Sequence, residues 1–399
     1  MDKKVPSLRF NGFEDEWEQD AFGQILFRVD ERGFAYLPLL TASINYGMIL
    51  KDSKKKVKSL ESFKRVLPND FVLHLSSFNS GLAFSKFEGL TSPVYNVLRF
   101  RDIDKHHPNF WMYVFKSSEF INSLVPLTYG LRQGKNINLN ELEKNLLKTT
   151  SKHEQQKISH LFNSLDSYLS LHKRKYDFLM NIKSTLLSKM FPNQNSKFPN
   201  IRFSEFTHAW EQEQLGDMMY KYSEKNQNNF FNKDDVLSVS GEYGVLNQIK
   251  FLGRSFAGNN LRNYKVFDVC DIVYTKSPLN KNPYGIIKVN SFKKGIVSIL
   301  YSIFKPYKDK LYSKFIEHFF LSDSRLNNFL FPIIQKGAKN TLIANDDEFL
   351  KQKLYFPSLP EQQKISHLFT SLDSILSLHQ RKLQIIKNIK KKMLEKMFV

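Results

Sequence analysis

Asn282-Pro283-Tyr284 is the stretch of this chain that comes nearest to a catalytic signature. An Asn or Asp followed by two prolines and an aromatic residue can hold a flipped adenine by its base edge and stack on its ring. Here one proline is absent, and no Phe-x-Gly-x-Gly cofactor loop accompanies it. Nucleotide-driven motion needs a G-x-x-x-x-G-K-[ST] loop whose amides cradle phosphates, and the sequence has none. The ten His residues lack H-x3-H metal spacing, and no acidic pair with a following x-Lys marks a nuclease centre. The single cysteine, Cys270, allows neither an intrachain disulfide nor a cysteine-based zinc site. It is expected to be a buried core thiol. The sequence therefore predicts a chain with no catalytic and no metal site of its own.

What it carries instead is charge. Lys and Arg number 59 against 39 acids, a formal charge of +20 over 399 residues. Such an excess repels itself unless a polyanion meets it. Nucleic acid is the leading candidate, because neutralising phosphates releases condensed counterions. The alternative is a Lys-rich surface that serves solubility alone. The first residues lack an apolar signal core, and no stretch reaches the length of a membrane span, which predicts a soluble cytoplasmic protein.

The positioning elements announce themselves by repetition. Glu154 to Phe191 recurs without a gap as Glu361 to Phe398, offset by 207 residues, with 26 of 38 positions identical. A period this long means a duplicated module, not a stacked array. A weaker echo precedes each module: Pro6, Arg9, Phe10, Phe13, Trp17, Glu18, Gln19 and Gly23 return as Pro199, Arg202, Phe203, Phe206, Trp210, Glu211, Gln212 and Gly216. Each half thus reads as a shared leading segment, a variable domain and a shared helix.

In the repeated module apolar residues fall at Ile158, Leu161, Leu165 and Tyr168, and at Ile365, Leu368, Leu372 and Ile375, in steps of three and four. This predicts a coiled-coil seam, continued through Ile386, Ile389, Met393 and Met397. Each run would be a helix of roughly 57 Å at 1.5 Å per residue. Two near-copies supply each other's partner. His172 and His379, at matched places on the stripe, read as polar residues that fix register, with a pH switch or metal pair as the sharper alternative. Pro357-Ser358-Leu359-Pro360 gives the second helix a rigid start, whereas Thr150-Ser151-Lys152-His153 predicts a looser one for the first. Between the helices, Phe191 to Pro199 reads as a linker.

The variable domains read as mixed and strand-rich. Strands are predicted at 70–75, 94–100, 271–275 and 296–304, and a helix-like aromatic stretch at 110–124 and again at 312–329.

A basic, non-catalytic chain with two variable domains, each followed by a helix opening Glu-Gln-Gln-Lys-Ile, resembles the specificity subunit of Type I restriction-modification systems. Ser358-Leu359-Pro360-Glu361-Gln362-Gln363-Lys364-Ile365 is similar to one of that family's most typical stretches. Asp271 to Pro278 and Ser92-Pro93-Val94-Tyr95 are similar to segments of its target recognition domains. The likeness covers essentially the whole chain; Thr150 to His153 departs from the family's usual Leu-Pro. It implies an α+β fold with internal pseudo-twofold duplication, in which two target recognition domains of mixed α/β structure are joined by two long antiparallel coiled-coil helices. The corresponding divisions are 1–150 and 193–357 for the recognition domains, and 151–192 and 358–399 for the helices. The resemblance further implies that each domain reads half of a split double-stranded DNA target, with the helices as a ruler between halves. Two methyltransferase subunits carrying S-adenosylmethionine would join the chain, and so would two restriction (translocase-nuclease) subunits using ATP and Mg, while the chain itself holds no cofactor. A degenerate nuclease or methyltransferase, and a coiled-coil adaptor that binds protein but not DNA, are the rival readings.

Base readout asks for Arg or Lys against guanine and Asn or Gln against adenine, with further Lys on phosphates. In the first domain the candidates are Lys54, Lys55, Lys56, Ser77, Asn79, Arg132 and Lys135. In the second they are Arg254, Asn259, Asn260, Arg262, Asn263, Lys276, Asn280, Lys281, Lys336 and Lys339.

Overall fold

The computed structural model describes residues 5–43, 46–51, 59–73, 81–129, 136–192, 196–336 and 342–398. They form two compact units, Met1–Lys173 with Arg381–Val399, and Arg174–Gln380. The division passes through both long helices, because each helix half packs on the unit it accompanies.

In the first unit, Glu18–Ala21 pairs antiparallel with Leu146–Thr149, so the chain enters and leaves side by side. Between them lie α1 (Phe22–Ile25) and a four-stranded antiparallel sheet in the order Leu26–Val29, Asn96–Phe100, Phe71–Leu73, Ala83–Phe84. Then follow α2 (Pro108–Val114), α3 (Ser118–Leu124), α4 (Leu139–Glu143) and the long α5 (Lys152–Lys189). The aromatic stretch read as one helix is two: the Ser117 hydroxyl accepts from Phe120 N (3.1 Å) and starts a new helix.

The second unit repeats the plan. Glu211–Gln214 pairs with Lys353–Phe356, and α6 (Leu215–Met218) leads into a sheet ordered Met219–Tyr222, Ser302–Pro306, Ile272–Tyr274, Ile287–Val289. The other helices are α7 (Gln248–Leu252), α8 (Ser313–Phe319), α9 (Asp323–Leu330), α10 (Asp346–Lys351) and α11 (Leu359–Met397). The strand expected at 296–304 is two, Gly295–Val297 and Ser302–Pro306, separated by a turn in which Tyr301 N donates to Ser298 O at 3.1 Å. Aromatic cores anchor both units: Trp17, Phe71, Phe110, Trp111 and Phe115 in one, Trp210, Phe304, Phe315 and Phe349 in the other.

The repeated Glu-Gln-x-x-x-Ser explains how a helix grips its domain. Glu154 is fully buried and accepts Arg9 Nε at 2.6 Å and Nη2 at 2.8 Å; Glu361 accepts Arg202 Nε and Nη2, both at 2.7 Å. The next residue ties the helix to the domain's own helix. Gln155 Oε1 accepts from His107 N (2.8 Å) before α2, and Gln362 Oε1 from Tyr312 N (3.0 Å) before α8. The start of α5 is not looser than that of α11: Gln155 N bonds Ser151 O and Gln362 N bonds Ser358 O, both at 3.0 Å. Thr150 replaces the proline by giving its hydroxyl to Glu154.

Within each unit the halves of α5 and α11 run antiparallel. Phe162 meets Phe398 and Asp166 pairs with Lys390 in the first unit; Phe191 meets Phe369 and Lys183 pairs with Asp373 (2.5 Å) in the second. The repeat turns one set of contacts into the other. Much of the predicted seam packs inward: Ile158, Ile365, Leu372 and Met397 are buried, and Leu161, Leu165, Leu368 and Met393 pack against the aromatic cores. Phe162 and Phe369 are fully buried, each contributing roughly 1.5–3 kcal/mol, while Tyr168, Ile375 and Ile389 are exposed. The seam is buried where the helices meet the aromatic cores and becomes exposed at Tyr168, Ile375 and Ile389.

Cys270 is exposed, against expectation. It sits in a left-handed turn (φ 71°), as does its counterpart Asn69 (φ 75°). In both turns the following aspartate side chain caps a backbone amide, Asp70 accepting from Leu67 N and Asp271 from Asp268 N, each at 2.8 Å. Asn suits that conformation; cysteine tolerates it because the turn is fixed by its neighbours.

Candidate nucleic-acid interface

Of the sequence-derived contact residues, Lys54, Lys55, Lys56, Ser77, Asn79, Arg132, Lys135 and Lys339 lie outside the described residues. Lys336 ends the strand Ile334–Lys336, which pairs with Leu342–Ala344. The remainder belong to the second unit and fall into two loop groups and one half-buried lysine.

The first group follows a hairpin, Leu237–Ser240 with Gly244–Asn247. Asn247 caps α7 by accepting from Lys250 N (3.0 Å), and Gly253 ends it at φ 76°, a conformation that glycine adopts without strain. The chain then runs through exposed Arg254, Asn259, Asn260, Arg262 and Asn263. Arg254 lies over the Phe256 ring at 4.6 Å, Asn259 accepts from Lys233 Nζ at 2.9 Å, and Asn260 Oδ1 accepts from Arg262 N at 3.1 Å. These bonds order the loop while the Arg254 and Arg262 side chains remain exposed.

Sequence reasoning passed over the aromatic residues of this surface. Phe256 is 58% exposed and Tyr243, at the hairpin tip, 57%; Tyr243 packs at a tilt against Phe251, ring centroids 5.7 Å apart. Exposed rings beside guanidinium groups offer stacking as well as charge. The available signal was the Glu242-Tyr243-Gly244 turn between two short β-runs.

The second group, Asn280 and Lys281, is exposed in a turn closed by Leu279 N to Asn282 O (3.0 Å). Asn282 donates to Asp323 (2.9 Å) and Asn327 to Lys281 O (3.0 Å), which pins the turn to α9. This is the segment that resembles a base-holding motif, and its asparagine is spent on the fold.

Lys276 is half-buried. Its Nζ donates to Ala344 O (2.7 Å) and Asp346 Oδ1 (2.8 Å), and Lys221 reaches the other carboxylate oxygen at 2.9 Å. Burial alone would raise the Asp346 pKa, but hydrogen bonds from Lys276, Ser302 and Lys221 hold it at about 2. The lysine is committed to a structural ion cluster. Among the described residues, no group of three or more His, Cys, Asp or Glu could hold a metal ion, and no helix is long and apolar enough to cross a membrane.

No family model and no curated protein matches the sequence. Solved structures do. The S subunit of the Type I restriction-modification system from M. genitalium is 14% identical, with a TM-score of 0.61 over 99% of both chains. The chain has the fold of that S subunit. The HsdS subunit from Thermoanaerobacter tengcongensis aligns over 96% of each chain at 14% identity and a TM-score of 0.44. A chain from a structure of type I R-M complex assembly aligns over 96% of this chain and 97% of that one, at 13% identity and a TM-score of 0.46.

Proposed function

We propose that this chain is the DNA-recognition subunit of a Type I restriction-modification complex, each unit reading one half of a split target. The observation that carries the reading is the fold shared over 99% of both chains with a Type I S subunit. It is supported by the duplication of the whole plan, clamps included, and by a net charge of +20. The exposed Arg254, Asn260, Arg262 and Asn263 surface and the Asn280–Lys281 turn would supply base-edge and phosphate contacts in the second half-site.

The chain would perform no chemistry. Two methyltransferase subunits carrying S-adenosylmethionine would assemble on it, and two translocase-nuclease subunits using ATP and Mg would join them. The duplication gives two identical partners two equivalent sites. The long helices α5 and α11 would set the gap between half-sites.

Exchange of the first variable segment, residues 24–145, for that of another such chain tests the reading. Methylation mapped in cells should show one half of the target changed and the other retained, since base readout is local to the groove each unit occupies. A swap that altered both halves, or neither, would overturn it.

A further inference from the structure

The two units differ at one equivalent position in a way that leaves a basic cavity in the first. Their strand registers match Arg28 with Lys221, Asn96 with Ser302 and Lys64 with Lys265. The two lysines confirm the match, since Lys64 Nζ donates to Tyr95 O (2.9 Å) and Lys265 Nζ to Tyr301 O (2.5 Å). The caps Asn138 and Asn345 correspond as well, so the residue after each cap, Leu139 or Asp346, occupies the same place.

In the second unit this place holds a carboxylate. Asp346 accepts from Lys221, Lys276 and the Ser302 hydroxyl, and the site is filled by the chain itself. In the first unit Leu139 brings no charge. A cavity of about 590 Å³ opens there, lined by Arg28, Lys64, Asn96, Asn138, Leu139 and Asn140 among others. Among the described residues that line it, none is acidic. The neighbouring carboxylate, Asp30, is held through both oxygens by Arg32 (2.6 and 3.1 Å), and stands 3.4 Å from Lys64 and 4.0 Å from Arg28. Lys64 is 2% exposed. A buried ammonium has three donors to satisfy, and Arg28 offers a planar fork suited to oxyanions.

We propose that this cavity is an oxyanion site that takes a phosphoryl group, bound by Arg28, Lys64 and Asn96 where the sister unit places the carboxylate of Asp346. The cavity is several times larger than a carboxylate, and its walls include Pro93 and Val94, which leaves room for a group esterified to the phosphate. The source is either a free phosphate compound or a phosphate of the DNA backbone. The site rests on the geometry alone; the DNA arm rests also on the function proposed above.

Leu139→Asp recreates the sister arrangement and should close the site from within. Arg28→Gln, at a half-exposed side chain, removes a binding group with little risk to folding. The full-length chain should show a higher melting temperature in inorganic phosphate than in chloride at equal ionic strength, with broadening of the phosphate ³¹P resonance. Both variants should weaken the apparent phosphate affinity by about tenfold or more, as loss of a charge-assisted bond implies. In the DNA arm, a backbone source lowers the slope of log affinity against log salt by about one in either variant. An unchanged slope with lost phosphate binding assigns the site to a free phosphate compound. Equal stabilisation by chloride and phosphate, no broadening, and unchanged DNA slopes in Arg28→Gln would overturn the proposal, whether or not Leu139→Asp folds.

Discussion

Removing Arg202 should damage the second unit more than removing Arg9 damages the first, although the two clamps look alike. Glu361 is 1% exposed at its side chain, and Arg202 supplies both of its charge-assisted bonds, at 2.7 Å each. Arg202→Met would strand a buried carboxylate, a loss of roughly 3–5 kcal/mol. Glu154 is as deeply buried, but it also receives the Thr150 hydroxyl, for which the second helix has Pro357 and no donor. Arg9→Met should therefore be milder by about one bond to a charged group, ~1.5–3 kcal/mol. The double variant Arg202→Met/Glu361→Met should recover most of the loss, because apolar side chains replace a whole buried pair at little net penalty. Urea unfolding read by hydrogen exchange, peptide by peptide, separates the two units. Losses below about 1 kcal/mol for both arginines, as surface pairs give, would refute the reasoning, and so would an Arg9 variant as damaged as the Arg202 variant.

Acid should act through His318, which burial pushes down to about 3, aided by the charges of Lys314, Lys183 and Lys288. The unfolded chain takes up a proton that the buried ring refuses, so stability should fall from the ordinary histidine range down to about pH 3, by up to ~1.4 kcal/mol per pH unit. His318→Phe, which keeps a ring against Phe369, should flatten that part of the urea-midpoint profile. Asp346→Asn should lower stability at neutral pH, measured by melting temperature. It should also abolish a second acid loss in the wild type, whose stabilisation is present above the ordinary carboxylate pKa and disappears as pH falls through about 2. Gly81→Ala should destabilise the first unit by about 2 kcal/mol or more in the same assay, since φ is +73° and the new Cβ would lie 1.9 Å from Phe115 O.

The duplication was legible because it is written residue by residue, and both long helices lie within two residues of the predicted limits. Tertiary partners were not legible. Nothing local links Arg202 to Glu361 across 159 residues, yet that pair accounts for the retention of both residues in each half. The seam was legible at Ile158, Ile365, Leu372 and Met397, but the depth of Phe162 and Phe369 and the exposure of Tyr168 and Ile375 were not, because the aromatic cores of the units decide them. Ser117 and Ser322 looked like ordinary residues of an aromatic run; their caps become visible once the preceding turns are known. Lys276 drew attention as a loop cation, but its neutralising partner, Asp346, is 70 residues away. The exposure of Arg254, Asn259, Asn260, Arg262 and Asn263, by contrast, follows from composition, since polar loop side chains need no distant partner to reach solvent.

Affinity selection from random duplex DNA by the full chain with its methyltransferase tests the central claim most directly. Two reading units predict a split target, two short specified half-sites separated by a fixed unspecified gap, bound with a steep dependence on salt. Enrichment of a single continuous motif, or salt-sensitive binding with no sequence enriched at all, would contradict the account.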